Sequence, residues 1–211
     1  MDNEKLMTVW CRMWNEDPAL AHDLMTDECV QWSGNTTGLD AVVGPREQEE
    51  FVTAYRAEHV NVFTPRVLVD GGDRFAYLWD VRTADGRVLT GVDVNVVRDG
   101  RVHENWTFVG ERHDGQADPE PEAADRAVLE DLALGWTGDG PVADRFRGTA
   151  ADDLDLAVTA HREVVVDPDR GRVALLRTTG EDAVSGVDLF AVREGRVARA
   201  WSLTGVRPFR Y

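Results

Sequence analysis

Lysine is almost missing from this 211-residue chain: Lys5 is the only one, and arginine supplies the rest of its 23 basic residues. Acids number 39, so the formal net charge is −16 at pH 7. A surface so short of positive charge repels phosphate backbones and anionic lipid, which argues against nucleic acid or a membrane surface as a partner. The same acidity also serves solubility alone. Cysteine is equally scarce. Cys11 and Cys29 stand by themselves, at a spacing that makes neither a metal site nor a disulfide framework, so both are expected as buried free thiols. No apolar run approaches the roughly 20 residues of a bilayer span. The opening "MDNEKLMTVW" carries early acids and lacks the apolar stretch of a signal peptide, so the expected location is cytoplasmic. The preference for Arg over Lys, with Ala, Val and Asp, resembles the coding habit of a GC-rich bacterium and carries no information about function.

What is present is a strand written twice. "TGVDVNVVRDGRV" (Thr90–Val102) returns as "SGVDLFAVREGRV" (Ser185–Val197). Set against Val184–Arg207 without gaps, Leu89–Arg112 gives 11 identities in 24 positions, where chance supplies roughly one or two. "RDGR" and "REGR" each lie between a pair of alternating apolar runs, a hairpin signal with Gly100 and Gly195 taking positive φ. Upstream, "VLVDGGDRFAYLWDV" and "REVVVDPDRGRVALLRT" read as a further hairpin in each half. Each half also opens with a helix. Leu6, Val9, Trp10, Met13 and Trp14 recur at helical spacing in the first, and Val128, Leu129, Leu132 and Trp136 in the second. Only the first half has "GPREQEEFVTAYRAEH", a third helix with Pro45 at its first position and Phe51 and Tyr55 on one face. The stretch "HDGQADPEPEAAD" is acidic, contains prolines and reads as a linker. The expected organisation is a first domain over 1–113, a linker over 114–124 and a truncated repeat over 125–211.

Asp93 is the unexpected residue in this strand. Residues two apart share a face, so Gly91, Asp93 and Asn95 project together while Val92, Val94 and Val96 project oppositely. An ionised, unpaired carboxyl in such surroundings costs several kcal/mol, so its pKa is expected to rise. That suits a proton donor or acceptor near neutrality. The alternative is structural: pairing with a neighbouring Arg, or capping a backbone amide. Asp188, its counterpart, has a local partner in Arg177 on the adjacent strand, where the first copy carries Trp79. A buried Arg177–Asp188 pair is therefore expected in the second copy, with Asp93 left unpaired in the first. Phe75, Tyr77 and Trp79 share a strand face and, with Trp10, Trp14 and Trp32, suit a flat hydrophobic cavity. Each taken singly is equally well ordinary core. His103 and His113 have no partners at ligand spacing, and no metal site, phosphate loop or nucleophile–base pair is evident.

The order helix, broken helix, short strand, helix and four-stranded meander resembles the nuclear transport factor 2-like superfamily, and within it the SnoaL-like polyketide cyclase and ketosteroid isomerase group. "MWNEDPALAHDLMTDECVQW" (Met13–Trp32), "TGLDAV" (Thr37–Val42) and "GVDVNVVRDGRVHENW" (Gly91–Trp106) carry the resemblance. It covers residues 1–112, with 125–211 as a truncated echo. It implies an α+β fold: a cone-shaped curved antiparallel sheet with covering helices, a cystatin-like α+β barrel, followed by a degenerate repeat. It further implies a small ligand on the concave face. Asp93 falls where ketosteroid isomerases place the protonated Asp of their oxyanion hole, and Trp10 falls near their Tyr donor. Ser33 falls near their general-base Asp, and serine is no base unaided. SnoaL-like cyclases often have an acid where this chain has Val109 or Gly110, and limonene epoxide hydrolases an Arg where it has Gly91.

The resulting expectation is a cofactor-independent enzyme of cyclase or isomerase type, in polyketide or other secondary metabolism. Asp93 would be its acid/base, with Asn95, Tyr77 and Trp10 as donors. Trp14, Trp32, Ser33, Tyr55, Phe75, Trp79, Asn105 and Thr107 would hold a hydrophobic, ring-containing molecule. One alternative is a non-catalytic metabolite-binding or accessory protein. Another is a pairing module, an internal pseudo-dimer or homodimer through the convex sheet face that carries Glu104 and Trp106.

Overall fold

The computed structural model describes residues 1–34, 41–112, 117–136, 160–178 and 183–208. These form two compact units, each with its own sheet. The first begins with α1 (Asn3–Asn15), a 3-10 turn at Pro18–Leu20 and α2 (Ala21–Leu24). Asp2 caps α1 by accepting from the Lys5 amide at 2.8 Å. β1 (Met25–Ser33), β2 (Ala41–Val43), α3 (Gly44–Glu58), β3 (Val62–Asp70), β4 (Arg74–Arg82), β5 (Val88–Arg98) and β6 (Arg101–Glu111) follow. The chain turns into α3 at Gly44, whose φ of 74° suits glycine. Pro45 then occupies the first turn, and Glu47 reaches back to accept from the Val43 amide at 2.9 Å.

The first sheet is ordered β2-β1-β6-β5-β4-β3 and is antiparallel except where β1 runs parallel to β6. It is a curved α+β architecture, with α1 packed on the concave face. Leu6, Trp10 and Met13 of α1 join Phe75, Tyr77, Trp79 and Val81 of β4 in one core cluster. That is the apolar stripe α1 shows in the sequence. The β5–β6 turn places both Asp99 (φ 52°) and Gly100 (φ 69°) in the left-handed region, the mirror-image turn of a two-residue hairpin.

The second unit holds α4 (Arg126–Gly135), β7 (Ala160–Asp167), β8 (Arg172–Thr178), β9 (Ala183–Arg193) and β10 (Arg196–Pro208). Its sheet is an antiparallel meander, β10-β9-β8-β7. The β9–β10 turn repeats the first, with Glu194 at φ 49° and Gly195 at 72°. Leu129, Leu132 and Trp136 pack on Val173, Leu175 and Phe190. The missing counterpart of α3 concerns residues 137–159, which lie outside the described residues, as do His113 and the first four positions of "TGLDAV". Cys11 and Cys29 are buried free thiols. No helix among the described residues is long and apolar enough to cross a membrane.

Candidate active site

Asp93 sits on β5 opposite Tyr77 of β4 and Thr107 of β6. It is 3% exposed. The Tyr77 hydroxyl donates to its Oδ2 at 2.7 Å, and the Trp79 indole N–H donates to its Oδ1 at 2.9 Å. Burial pushes the carboxyl above its ordinary value, against the opposing hydrogen bonds of Thr107, Tyr77, Trp79 and Asn105. Asp93 is therefore not unpaired, as its apolar strand suggested: neutral donors hold it. Tyr77 is itself pushed well up, by burial first and then by the nearby Asp93 charge. The Cys11 thiol lies against the same hydroxyl, and burial with the Asp93 charge pushes it up to about 12, a thiol too poorly ionised to act as a nucleophile.

Gly91 makes the Trp79 contact possible. It is paired with Trp79 across the strands, and a Cβ there would stand 2.1 Å from the indole Cζ2. With no side chain at 91, the indole lies across the backbone and reaches the acid two residues on. The second unit uses the same geometry with another donor. Arg177 pairs with Gly186, and a Cβ at 186 would be 2.4 Å from its Nη2. The Arg177 Nε then lies 3.0 Å from Asp188 Oδ2, an ion pair whose angle departs from hydrogen-bond alignment. Trp136 donates to the same oxygen at 2.7 Å and Ser202 to Oδ1 at 2.5 Å. The expected Arg177–Asp188 pair is present.

Asp93 opens onto a cavity of about 520 Å³ in the first unit, a size ordinary for small-molecule sites. Trp10, Cys11, Gln31, Tyr77, Trp79 and Thr107 are among its lining residues, while Trp14, Phe51, Tyr55, Phe63, Leu89 and Val109 supply apolar wall. Trp14 meets Tyr55 edge-on at 5.4 Å and lies 5.3 Å from Phe63. Asn15 fixes the start of β3 by hydrogen bonds in both directions with the Phe63 backbone, at 2.7 and 2.8 Å, which holds the Phe63 ring in the wall. Glu58 and His59 are exposed where α3 ends. Nearby, Asn61 donates to the Tyr55 hydroxyl at 2.5 Å.

Of the residues singled out from sequence, Asp93, Tyr77, Trp79, Trp10, Trp14, Tyr55 and Thr107 line this cavity. Phe75, Asn95, Asn105 and Ser33 share the concave face by register but do not line it. Phe75 stacks on Tyr77 at 6.0 Å in the core, and Asn95 accepts from Asn105 Nδ2 at 2.9 Å. Trp32 is on the other face. It pairs in register with Trp106 and stacks on it at 4.9 Å, because neighbouring strands in register send paired residues to the same side. His103 is bonded to Thr26 Oγ1 at 2.9 Å. Sequence reasoning missed Gln31, Phe63, His59 and Asn61. Gln31 lies two residues from Ser33 and so shares its face, but which face of β1 is concave is set by its pairing with β6.

No family model matches the chain, and no curated protein matches it either. Among solved structures it is similar to an NTF2-like protein of unknown function from Mesorhizobium loti, at 24% identity, over 51% of this chain and 89% of that one, with a TM-score of 0.45. A cystatin-like protein from Methylobium petroleophilum matches at 19% identity, over 55% of this chain and 78% of that one, TM-score 0.47. IdmH of Streptomyces antibioticus, a candidate polyketide cyclase, matches at 18% identity, over 50% and 90%, TM-score 0.43.

Proposed function

We propose that the first unit is a cofactor-independent enzyme of cyclase or isomerase type acting on a largely apolar, ring-containing small molecule. The observation that carries this is Asp93. Its carboxyl is buried at the wall of a 520 Å³ cavity, held by neutral donors instead of a cation, and raised above its ordinary value. Such a group is a stronger base than an ordinary aspartate and keeps its proton to higher pH. As the carboxylate it takes a proton from an activated ring carbon; as the acid it returns that proton to another position of the same molecule. Tyr77 and Trp79 hold both oxygens in place, so the group meets substrate already oriented. The aromatic wall of Trp14, Tyr55 and Phe63 suits flat rings over sugars or nucleotides.

Tryptophan fluorescence titrated with polycyclic phenols and steroids tests this reading. Saturable quenching that Asp93→Asn weakens or abolishes is the expected result. Saturable nucleotide binding with no response to ring compounds would defeat it. A second reading, binding without turnover, is favoured by one feature: both Asp93 oxygens already accept hydrogen bonds within the fold. Deuterium exchange into a bound ketone, catalysed by wild type and absent in Asp93→Asn, separates the two.

A further inference from the structure

Across β1, β6 and β5 the concave face carries three side-chain amides in one register row. Gln31 is paired with Asn105, and Asn105 with Asn95. The row lies two residues along from Ser33, Thr107 and Asp93, which are aligned in the same way. Its members are 2%, 0% and 1% exposed. It makes one internal hydrogen bond, from Asn105 Nδ2 to Asn95 Oδ1. Gln31 Oε1, Asn105 Oδ1 and Asn95 Nδ2 are left buried with no hydrogen-bond partner among the described residues. Polar atoms taken out of water in this way carry a desolvation cost that no described residue returns. Of the three amides only Gln31 lines the cavity.

We propose that Gln31 is a ligand-recognition residue that reads a hydroxyl on the ring system whose other polar end meets Asp93. This rests on the functional reading above and narrows its ligand from any apolar ring compound to a hydroxylated one. A hydroxyl both donates and accepts, so it satisfies the amide in either orientation of its oxygen and nitrogen. Two strand spacings and two residues separate Gln31 from Asp93, about 12 Å between backbone positions before both side chains reach inward. That span suits two fused rings with oxygens at opposite ends. No Arg or Lys is among the described residues lining the cavity, so a phosphate or carboxylate would find no counter-charge there.

The test uses the full chain and two probes that differ by one group, 6-hydroxy-1-tetralone and 1-tetralone, titrated by tryptophan fluorescence or calorimetry. Wild type is expected to bind the hydroxylated probe roughly tenfold tighter, the worth of one buried hydrogen bond. Gln31→Leu and Gln31→Met should bring the two affinities within about twofold of each other while retaining 1-tetralone binding. Without ligand, both variants should melt at or above wild type, because each deletes an unpartnered buried polar atom. A hydroxyl preference that survives in both variants overturns the proposal and leaves the cavity as a binding site. Melting far below wild type in both would mean the amide is bonded for stability, which also overturns it. Failure of both probes to bind wild type would remove the functional reading as well.

Discussion

Asp93 and Asp188 occupy the same place in two matching strands, and substitution should distinguish their surroundings. Asp93→Asn can keep an oxygen toward the Trp79 N–H and offer its amide to the Tyr77 oxygen, so melting should be unchanged or raised. Asp188→Asn instead leaves Arg177, which is 8% exposed on its side chain, without its counter-charge. The expected cost is about 3 kcal/mol, seen directly in thermal or denaturant melts. The opposite ranking would reverse the two roles. pH gives an independent check. Because burial raises the folded Asp93 above its ordinary 3.8, its contribution to stability is fully present below that value. It is lost as pH rises through the folded pKa. The melting advantage of Asp93→Asn over wild type should therefore grow from about pH 4 upward and level off once the folded carboxyl has ionised. An advantage that shrinks with rising pH would mean the folded pKa is depressed.

β5 and β9 share a rule that neither acid explains alone. A glycine two residues before the acid opens the backbone so that a long side chain from the neighbouring strand can lie across it. Gly91→Ala would set a methyl group against the Trp79 indole. It is expected to cost about 1–3 kcal/mol through overpacking and to weaken ring-compound binding by withdrawing a donor from Asp93. Melts and the fluorescence titration read both effects. An alanine variant that melts and binds like wild type would show the close approach to be dispensable. The hairpins, the helix stripes and the Gly-x-Asp spacing were all legible, since each is local and set by periods of 2 and 3.6. The phase of β1 was not. Trp32 looks like wall until β1 is known to run parallel to β6 in the register that pairs Trp32 with Trp106. Hydropathy alone favours the tryptophan for the inside, and only the neighbouring strand corrects it.

With a net charge of −16 and one lysine, the chain repels itself as well as polyanions. Raising NaCl from low concentration to about 0.5 M screens exposed charges over more than a few ångströms. The melting temperature at about pH 8 should rise with salt and then level off, with little further dependence once the Debye length is short. A monotonic fall would mean that specific surface ion pairs outweigh the repulsion, which the exposed geometry of pairs such as Arg12–Glu16 and Arg46–Glu50 argues against.

The order of helices and strands, the duplicated hairpin with its two positive-φ turn residues, and the buried acid in each copy were determined by sequence. All of them follow from contacts within a few residues or from a repeat that can be aligned by eye. The tertiary structure decided what surrounds each acid. Tyr77 and Trp79 come from β4, Thr107 from β6 and Gln31 from β1, while Trp10 and Tyr55 come from α1 and α3, so their convergence depends on strand order and sheet curvature. The parallel β1–β6 pairing, which puts Gln31 inside and Trp32 outside, is a long-range choice between segments far apart in the chain, and no local period encodes it.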